Sequence, residues 1–296
     1  MAWKNKSQNL PSKNDNYMQI EEFILAAIEE DVGLGDHSSL LSVPENAQGK
    51  AVLLVKEKGI IAGVEVAQKV FATIDKDVHI DIILQDGTSV NKGDIVFVVQ
   101  GEVRSILKSE RLVLNIMQRM SGIATITNEY CQLIKGTKAI LLDTRKTTPN
   151  MRMLEKAAVK IGGGSNHRFG LYDMIMLKDN HIDFAGGIAN AIDKAKRYIT
   201  DKHLSIKIEI ETRSLDNVKE VLAIGGVDRI MFDNFTPEMV KIGVDMVNGQ
   251  YETEASGNIT KANIRLYAET GVDFISVGAL THSVKSLDLS LKAKIE

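Results

Sequence analysis

Residues 143–182 bring together Arg145, Lys146, Arg152, Lys156, His167, Arg168, Lys178 and His181, side chains able to carry positive charge. They cluster around the run Gly162-Gly163-Gly164, in three groups spelled TRK, NHR and LKDNH. Each group adjoins an apolar run or a glycine turn, whereas a solvated helix face would spread its charges at helical spacing. That pattern points to a pocket for a polyanion. Arginine can grip a carboxylate or phosphate with two parallel hydrogen bonds, a geometry closed to lysine. Arg145, Arg168 and the more distant Arg111 therefore suggest a substrate with several carboxylates, although Arg111 alone, on a polar helix stripe, reads as an ordinary solvated residue. Lys146 and Lys178 suit phosphate, and a lysine at a barrel strand end could also form a Schiff base. Nearby carboxylates weaken that alternative by favouring the ammonium.

Opposite charge gathers elsewhere in the chain. Glu211 and Asp233 sit at the ends of apolar runs, where they suit either ribose hydroxyls or a magnesium ion that also touches phosphate. Glu209, two residues before Glu211, falls on the same strand face but deeper, and Asp143 is similar to the other strand-end acids. The sequences SGNI (256–259) and VGAL (277–280) end two further strands with small residues, which let backbone N–H groups approach a phosphate at a helix start. A lone turn glycine would mean little, but two such loops opposite a basic cluster favour function. No second histidine lies at metal-ligand spacing from His167 or His181, so a hydrogen-bonding role for His167 fits better than a transition-metal site. His282 follows the VGAL loop and could touch phosphate.

These groups need a scaffold. Six short apolar strands, AILLDT, YDMIMLKDN, SIKIEIET, DRIMFDN, YETEAS and FISVGA, alternate with helices expected at 151–160, 186–199, 215–225, 236–248, 260–270 and 283–294. The fold class this implies is α/β, an incomplete (β/α) barrel of parallel strands whose chemistry sits at the carboxyl ends of the strands. Before it, a helix from Ile20 to Gly33 and strand-like runs joined by turns at Asp86-Gly87 and Lys92-Gly93 read as an N-terminal α+β sandwich domain. A helix expected over Ser109 to Met120 closes that half. The expected division is a flexible tail over 1–17, a sandwich over 18–120 joined by a C-terminal helix over 283–296, and a catalytic barrel over 121–282.

Composition bounds the partners. With 36 basic against 39 acidic residues the net charge is only −3, so no global field attracts nucleic acid or an anionic membrane. Anion binding must then be local. The single cysteine, Cys131, excludes an intrachain disulfide and fits a reducing cytoplasm. The polar first residues lack the apolar stretch of a signal peptide, and no run is long enough to span a bilayer.

The motifs EEDVGLGD (29–36), SERLVLNIMQRMSGIAT (109–125), DTRKTTPNMRMLEK (143–156), GGGSNHRFGL (162–171), LKDNHI (177–182), IEIET (208–212), FDN (232–234) and GVDFISVGALTHSVKSLDLSL (271–291) resemble the quinolinate phosphoribosyltransferase family, across nearly the whole chain after residue 18. The resemblance implies transfer of phosphoribosyl from phosphoribosyl pyrophosphate to quinolinate with decarboxylation, giving nicotinate mononucleotide, pyrophosphate and carbon dioxide, with Mg2+, in de novo NAD biosynthesis. It implies that Thr144, Arg145, His167, Arg168 and Lys178 bind quinolinate, with Lys146 between the two substrates. Glu211 and Asp233 would hold ribose hydroxyls and magnesium, and Ser256, Gly257, Asn258, Val277, Gly278, Ala279 and His282 the phosphate. It further implies a homodimer in which Arg111 enters the neighbour's site, with assembly of dimers into a hexamer as a further level. Two positions depart from the family pattern. Asn150 and Asn258 stand where glycine is frequent, and asparagine also tolerates turn conformations. A transferase for a related pyridine or pyrimidine carboxylate, a Schiff-base aldolase, and a lipoyl-like binding module built on the hairpins of residues 83–101 are the competing readings.

Overall fold

A computed structural model describes residues 20–294, so the tail expected over 1–17 lies outside the described residues. The chain opens with α1 (Ile20–Val32), α2 (His37–Ser42), β1 (Gln48–Val55), β2 (Gly59–Ile60), α3 (Val64–Ile74), β3 (His79–Ile82), β4 (Ser89–Val90) and β5 (Ile95–Glu102). The helix α4 (Val103–Leu133) leads to β6 (Ile140–Leu142), α5 (Arg152–Ile161), β7 (Met174–Leu177), α6 (Asp179–Ala185), α7 (Ile188–Lys202), β8 (Lys207–Thr212) and α8 (Leu215–Ile224). Then follow β9 (Arg229–Asp233), α9 (Pro237–Val247), β10 (Glu252–Ser256), α10 (Ile264–Ala268), β11 (Phe274–Ser276), α11 (Ala279–His282) and β12 (Leu289–Lys294).

The first unit is an antiparallel sheet in the order β12-β1-β5-β3. Gly87 and Gly93 do turn the chain in the left-handed region, but both fall within the one long connection between the paired strands β3 and β5 rather than in tight hairpins. β3 pairs with β5, while the two-residue β4 pairs with β2. Instead Asp86 accepts a hydrogen bond from the Val64 N–H at the start of α3, capping that helix from a distance.

Two expectations are corrected here. The helix expected over 109–120 is α4, which runs from Val103 to Leu133 through the junction expected near Met120 and Ser121. Its buried stripe continues through Ile123, Ala124 and Thr127 at helical spacing, so nothing stops it. Gly122 is no breaker there: a Cβ would come within 2.4 Å of the Lys285 carbonyl, so the glycine serves close approach of the C-terminal segment. The helix expected over 283–296 is wrong. Leu287, Leu289 and Leu291 alternate and are buried, a period of two, and β12 adds antiparallel to the free edge of β1.

The second unit is a parallel sheet in the order β6-β11-β10-β9-β8-β7. Six strands close into a barrel except between β6 and β7, where the segment 162–168 fills the gap with the single bridge Leu142↔Ser165. Ser165 donates to the Leu141 carbonyl at 2.8 Å and accepts from the Asp143 N–H at 3.2 Å. The glycine run makes this patch possible. A Cβ on Gly162 would lie 2.4 Å from the Ala124 carbonyl of α4, and one on Gly164 would press on Val159 and Thr127. The helix expected over 186–199 is α7, which begins at Ile188 after Gly186 and Gly187, both at positive φ, and the short α6 before it was not expected. Among the described residues no helix is long and apolar enough to cross a membrane.

Candidate active site

The carboxyl ends of the barrel strands surround a cavity of about 720 Å³, within the range of small-molecule sites. Its wall contains Thr144, Arg145, Lys146, His167, Arg168, Lys178, Glu211, Asp233, Ser256, Gly257, Asn258, Val277, Gly278, Ala279 and His282. Every site residue expected from the sequence is thus brought to one mouth, with the exception of Arg111. That residue lies on the exposed side of α4, away from the cavity wall.

Three of the basic residues of 143–182 named above serve the scaffold instead. Arg152 donates to the carbonyls of Phe169 and Arg145 and to Thr147 Oγ1, tying the two loops together. His181 accepts the Lys178 N–H through Nδ1 at the start of α6. Lys156 is buried and donates to Asp143 Oδ1 at 2.5 Å and to the His167 carbonyl at 3.0 Å. Asp143 in turn accepts the His167 N–H at 2.9 Å, so this strand-end acid is a buried brace rather than a ligand group facing the mouth. Burial raises the Asp143 carboxyl pKa despite Lys156, and burial lowers that of the Lys156 ammonium despite Asp143. The brace fixes the strand that delivers Arg145 and the patch that delivers His167 and Arg168 to one another.

Alternation along the strands stacks charge inside the barrel. Glu209 and Glu254 lie one step below Glu211 and Ser256, fully buried, with Arg229 beneath them. Arg229 Nη1 donates to Glu254 at 2.8 Å, and its guanidinium lies 4.0 Å from the centre of the Phe274 ring. His167 Nε2 stands 3.0 Å from Glu209 and 3.4 Å from Glu254. Burial lowers the pKa of the ring, but the two carboxylates outweigh burial and raise it to about 9. A second contact opposes full charge: the Arg168 N–H points at Nδ1 at 2.6 Å, which requires a lone pair there and puts the single proton of a neutral ring on Nε2. The short amide contact sets the ring's orientation, with Nε2 turned toward the acid pair. Burial and the neighbouring Glu254 push Glu209 up to about 7, while His167 and Arg229 hold Glu254 low against burial. His167, Glu209 and Glu254 converge closely enough to suggest a metal, but Arg229 already supplies the cation.

Near the rim, Lys178 is ion-paired with Glu211. An ammonium held against a carboxylate is not an attacking amine, which removes the support for a Schiff base on Lys178. Burial, and then the proximity of Arg145, lower the pKa of Arg168, so the two guanidiniums crowd one another until an anion enters. Asp233 takes a hydrogen bond from Asn234 Nδ2 and no ion pair among the described residues. Its carboxylate oxygens are hard donors on the cavity wall, a fit to a hard cation that also binds phosphate; Glu211, neutralised by Lys178, fits less well.

The two small-residue loops are shaped by contacts the sequence did not announce. Asn234 donates its backbone N–H to the Ser256 carbonyl, and its side chain accepts from Asn258 Nδ2 at 3.0 Å. Gly257, at φ 95°, passes so close that a Cβ would lie 2.2 Å from Asn234 Oδ1. Asn150 and Asn258 adopt φ of 64° and 55°, so asparagine does hold the left-handed turn at both departures. Met176 and Met231, on inward strand faces, and Thr260, in the loop after β10, also line the cavity and had no motif to mark them, whereas Ile259 and Ser276 fall within the quoted motifs and Glu254 within the strand YETEAS.

Comparison with known proteins gives a consistent result. Residues 36–121 match the family described as quinolinate phosphoribosyl transferase, N-terminal domain, and residues 123–292 match its C-terminal domain. A quinolinate phosphoribosyltransferase (decarboxylating) 2b, mitochondrial, of Nicotiana tabacum is 43% identical over 292 residues, which span 94% of this chain and 83% of that relative. A probable nicotinate-nucleotide pyrophosphorylase (carboxylating) of Bacillus subtilis (strain 168) is 42% identical over 276 residues, spanning 93% of this chain and 94% of the relative. The crystal structure of NadC from Streptococcus pyogenes aligns with a TM-score of 0.88 at 39% identity, covering 94% of this chain and 99% of that one.

Proposed function

Because the chain belongs to the quinolinate phosphoribosyltransferase family, we infer that its barrel mouth joins quinolinate to phosphoribosyl pyrophosphate, releasing pyrophosphate and carbon dioxide and forming nicotinate mononucleotide for NAD synthesis. The observation that carries this reading is that one cavity gathers two sets of groups: Arg145 and Arg168 beside His167, and Asp233 and Glu211 with the two small-residue loops, with Lys178 joining the second set at Glu211 and Lys146 at Gly278. A pyridine dicarboxylate needs the first set and a phosphorylated ribose with its pyrophosphate needs the second.

In the mechanism we assign, Arg145, Arg168 and the adjoining Thr144 and His167 orient the ring so that its nitrogen faces the ribose C1. The N–C1 bond forms as the C1–O bond to pyrophosphate breaks, and the oxygen keeps the electron pair. Asp233 and Glu211 stabilise the positive charge that develops on the ribose, and Lys146 the negative charge on the leaving group. The ring nitrogen, now quaternary, stabilises by its positive charge the electron pair that the breaking C–CO2 bond leaves on the adjacent ring carbon. Carbon dioxide leaves and the ring carbon takes a proton from water. No enzyme nucleophile is required.

Several finer features belong to the same reading. Asp233, with Glu211 beside it, would hold magnesium, which when bound neutralises pyrophosphate charge. The chain acts as a homodimer that lends Arg111 across the interface, a role supported by the exposed Leu40 and Leu41 of α2, which packs on α4 and offers apolar surface to a second copy. The expected setting is the cytoplasm. The test is to incubate the protein with phosphoribosyl pyrophosphate, magnesium and ring-labelled quinolinate, following nucleotide and carbon dioxide together. Equimolar release is expected. Ribosylation of nicotinate without carbon dioxide release would replace quinolinate by a related pyridine carboxylate.

A further inference from the structure

Lys146 lies in an irregular segment between β6 and α5 that has few backbone bonds of its own. Within it the Lys146 N–H donates to Thr144 Oγ1 and the Thr147 N–H to the Arg145 carbonyl. Besides Arg152, which donates to Thr147 Oγ1 and the Arg145 carbonyl, two further contacts anchor it. Thr281 Oγ1 donates to the Lys146 carbonyl at 2.7 Å, and Glu155 Oε2 accepts the Thr148 N–H at 3.2 Å. Both anchors meet at one side chain. Arg119 of α4 donates through Nε and Nη2 to Glu155 Oε1, at 3.1 and 2.9 Å, and through Nη2 to the Thr281 carbonyl at 2.5 Å. Glu155 is fully buried, so without Arg119 its charge would have no cation among the described residues.

The same guanidinium therefore spans the loop after β6 and the phosphate loop after β11. Those loops touch directly: a Cβ on Gly278 would lie 3.1 Å from Lys146 Cδ, so the lysine stem runs along the phosphate loop. Lysine could not replace this arginine, because a single ammonium cannot present two separated donors to Glu155 and a third to Thr281 with fixed angles.

We propose that Arg119, acting through Glu155 and Thr281, is a positioning residue that sets where the Lys146 ammonium stands relative to the phosphate loop. It touches no substrate. The proposal rests on the reading of Lys146 as the residue facing the pyrophosphate. Displacing a catalytic group by about 1 Å can cost about 100-fold in rate. Arg119→Met should lower kcat by about 10- to 100-fold with the KM for quinolinate nearly unchanged, and Arg119→Lys should recover only part of it. Thr281→Val, which removes the hydroxyl but keeps the carbonyl, should lower kcat in the same direction and carries the test if Arg119→Met does not fold.

The decisive arm is a cycle with Lys146→Met. A residue that works through Lys146 has nothing left to position once the ammonium is gone, so Arg119→Met and Thr281→Val should each cost no further kcat in that background. Additive losses there, or folded Arg119→Met and Thr281→Val proteins with wild-type kcat beside an inactive Lys146→Met, would overturn the positioning role alone. Wild-type turnover by Lys146→Met would instead overturn the reading of Lys146, and the proposal with it.

Discussion

The Lys156 and Asp143 brace offers a measurement whose size can be worked out in advance. In Lys156→Met the side chain loses an ammonium that is 1% exposed, and the Asp143 carboxylate, 0% exposed, keeps only the His167 N–H and the Asn166 amide, whose nitrogen faces it once the amide is oriented to satisfy its neighbours. Removing one partner of a buried pair costs about 3–5 kcal/mol. Protonation limits the loss, because holding an aspartate neutral at pH 7 costs about 1.36 kcal/mol for each unit above an ordinary pKa of about 3.9, or roughly 4 kcal/mol. The expected loss is therefore about 3–4 kcal/mol at pH 7, which lowers Tm by roughly 6–16 °C for a chain of this size. Its pH dependence has a definite sign. A carboxyl whose folded pKa is raised contributes stability present below its unfolded pKa and lost as pH rises through the folded one. The difference between wild type and Lys156→Met should accordingly shrink to about 1.5 kcal/mol at pH 5, and Lys156→Met/Asp143→Leu should recover most of the loss at pH 7. Urea or thermal unfolding at the two pH values checks this. A loss below about 1 kcal/mol at pH 7, or one that does not change with pH, would refute the reasoning.

Three other outcomes follow from particular contacts. Gly257→Ala forces a Cβ into Asn234 at a positive φ, so the KM for phosphoribosyl pyrophosphate should rise about tenfold or more while the barrel stays folded; an unchanged KM would remove Gly257 from the phosphate site. Mixing Arg111→Ala with Lys146→Ala chains should restore both groups to about a quarter of sites if Arg111 crosses a two-fold interface, and no recovery in exchanged dimers would exclude sharing. With the His167 pKa raised from 6.5 to about 9, charge on the ring gives stability that is full below pH 6.5 and lost as pH rises through 9, an advantage that His167→Gln lacks. A wild-type advantage that stays flat from pH 6 to 10 would mean that the Arg168 amide keeps the ring neutral throughout.

The strand ends were legible because each joins two signals: an apolar run of strand length and a polar residue at its carboxyl end. Glu211, Asp233 and Ser256 satisfied both and do reach the mouth. Asp143 satisfied both and does not, since its side chain turns to Lys156, a partner thirteen residues away that its place in the basic run set among the pocket cations. Arg119 was invisible for the same reason in reverse. Nothing near it in sequence distinguishes a bridge to Glu155 and Thr281 from a solvated arginine on a polar stripe. The C-terminal strand was mistaken for a helix because LDLSLK is short enough for either period, and only the free edge of β1 decides. The patch between β6 and β7 carries one bridge and no strand periodicity, yet it delivers His167 and Arg168.

That C-terminal strand has a consequence for how the molecule is made. Lys50 lies opposite Lys294, so β1 is synthesised long before the strand that covers its edge. Closing such a loop in a free chain would cost about 5 kcal/mol of entropy, and a barrel that folds first removes most of it by bringing residue 289 back alongside α4. Loop-closure entropy thereby favours one order of assembly, barrel before completed sheet. Until residues 289–294 leave the ribosome, β1 presents unpaired N–H and C=O groups and the apolar Leu53 and Val55 to any other nascent chain, the exposure that leads to edge-to-edge aggregation. A fragment limited to residues 20–133 would keep that open edge permanently.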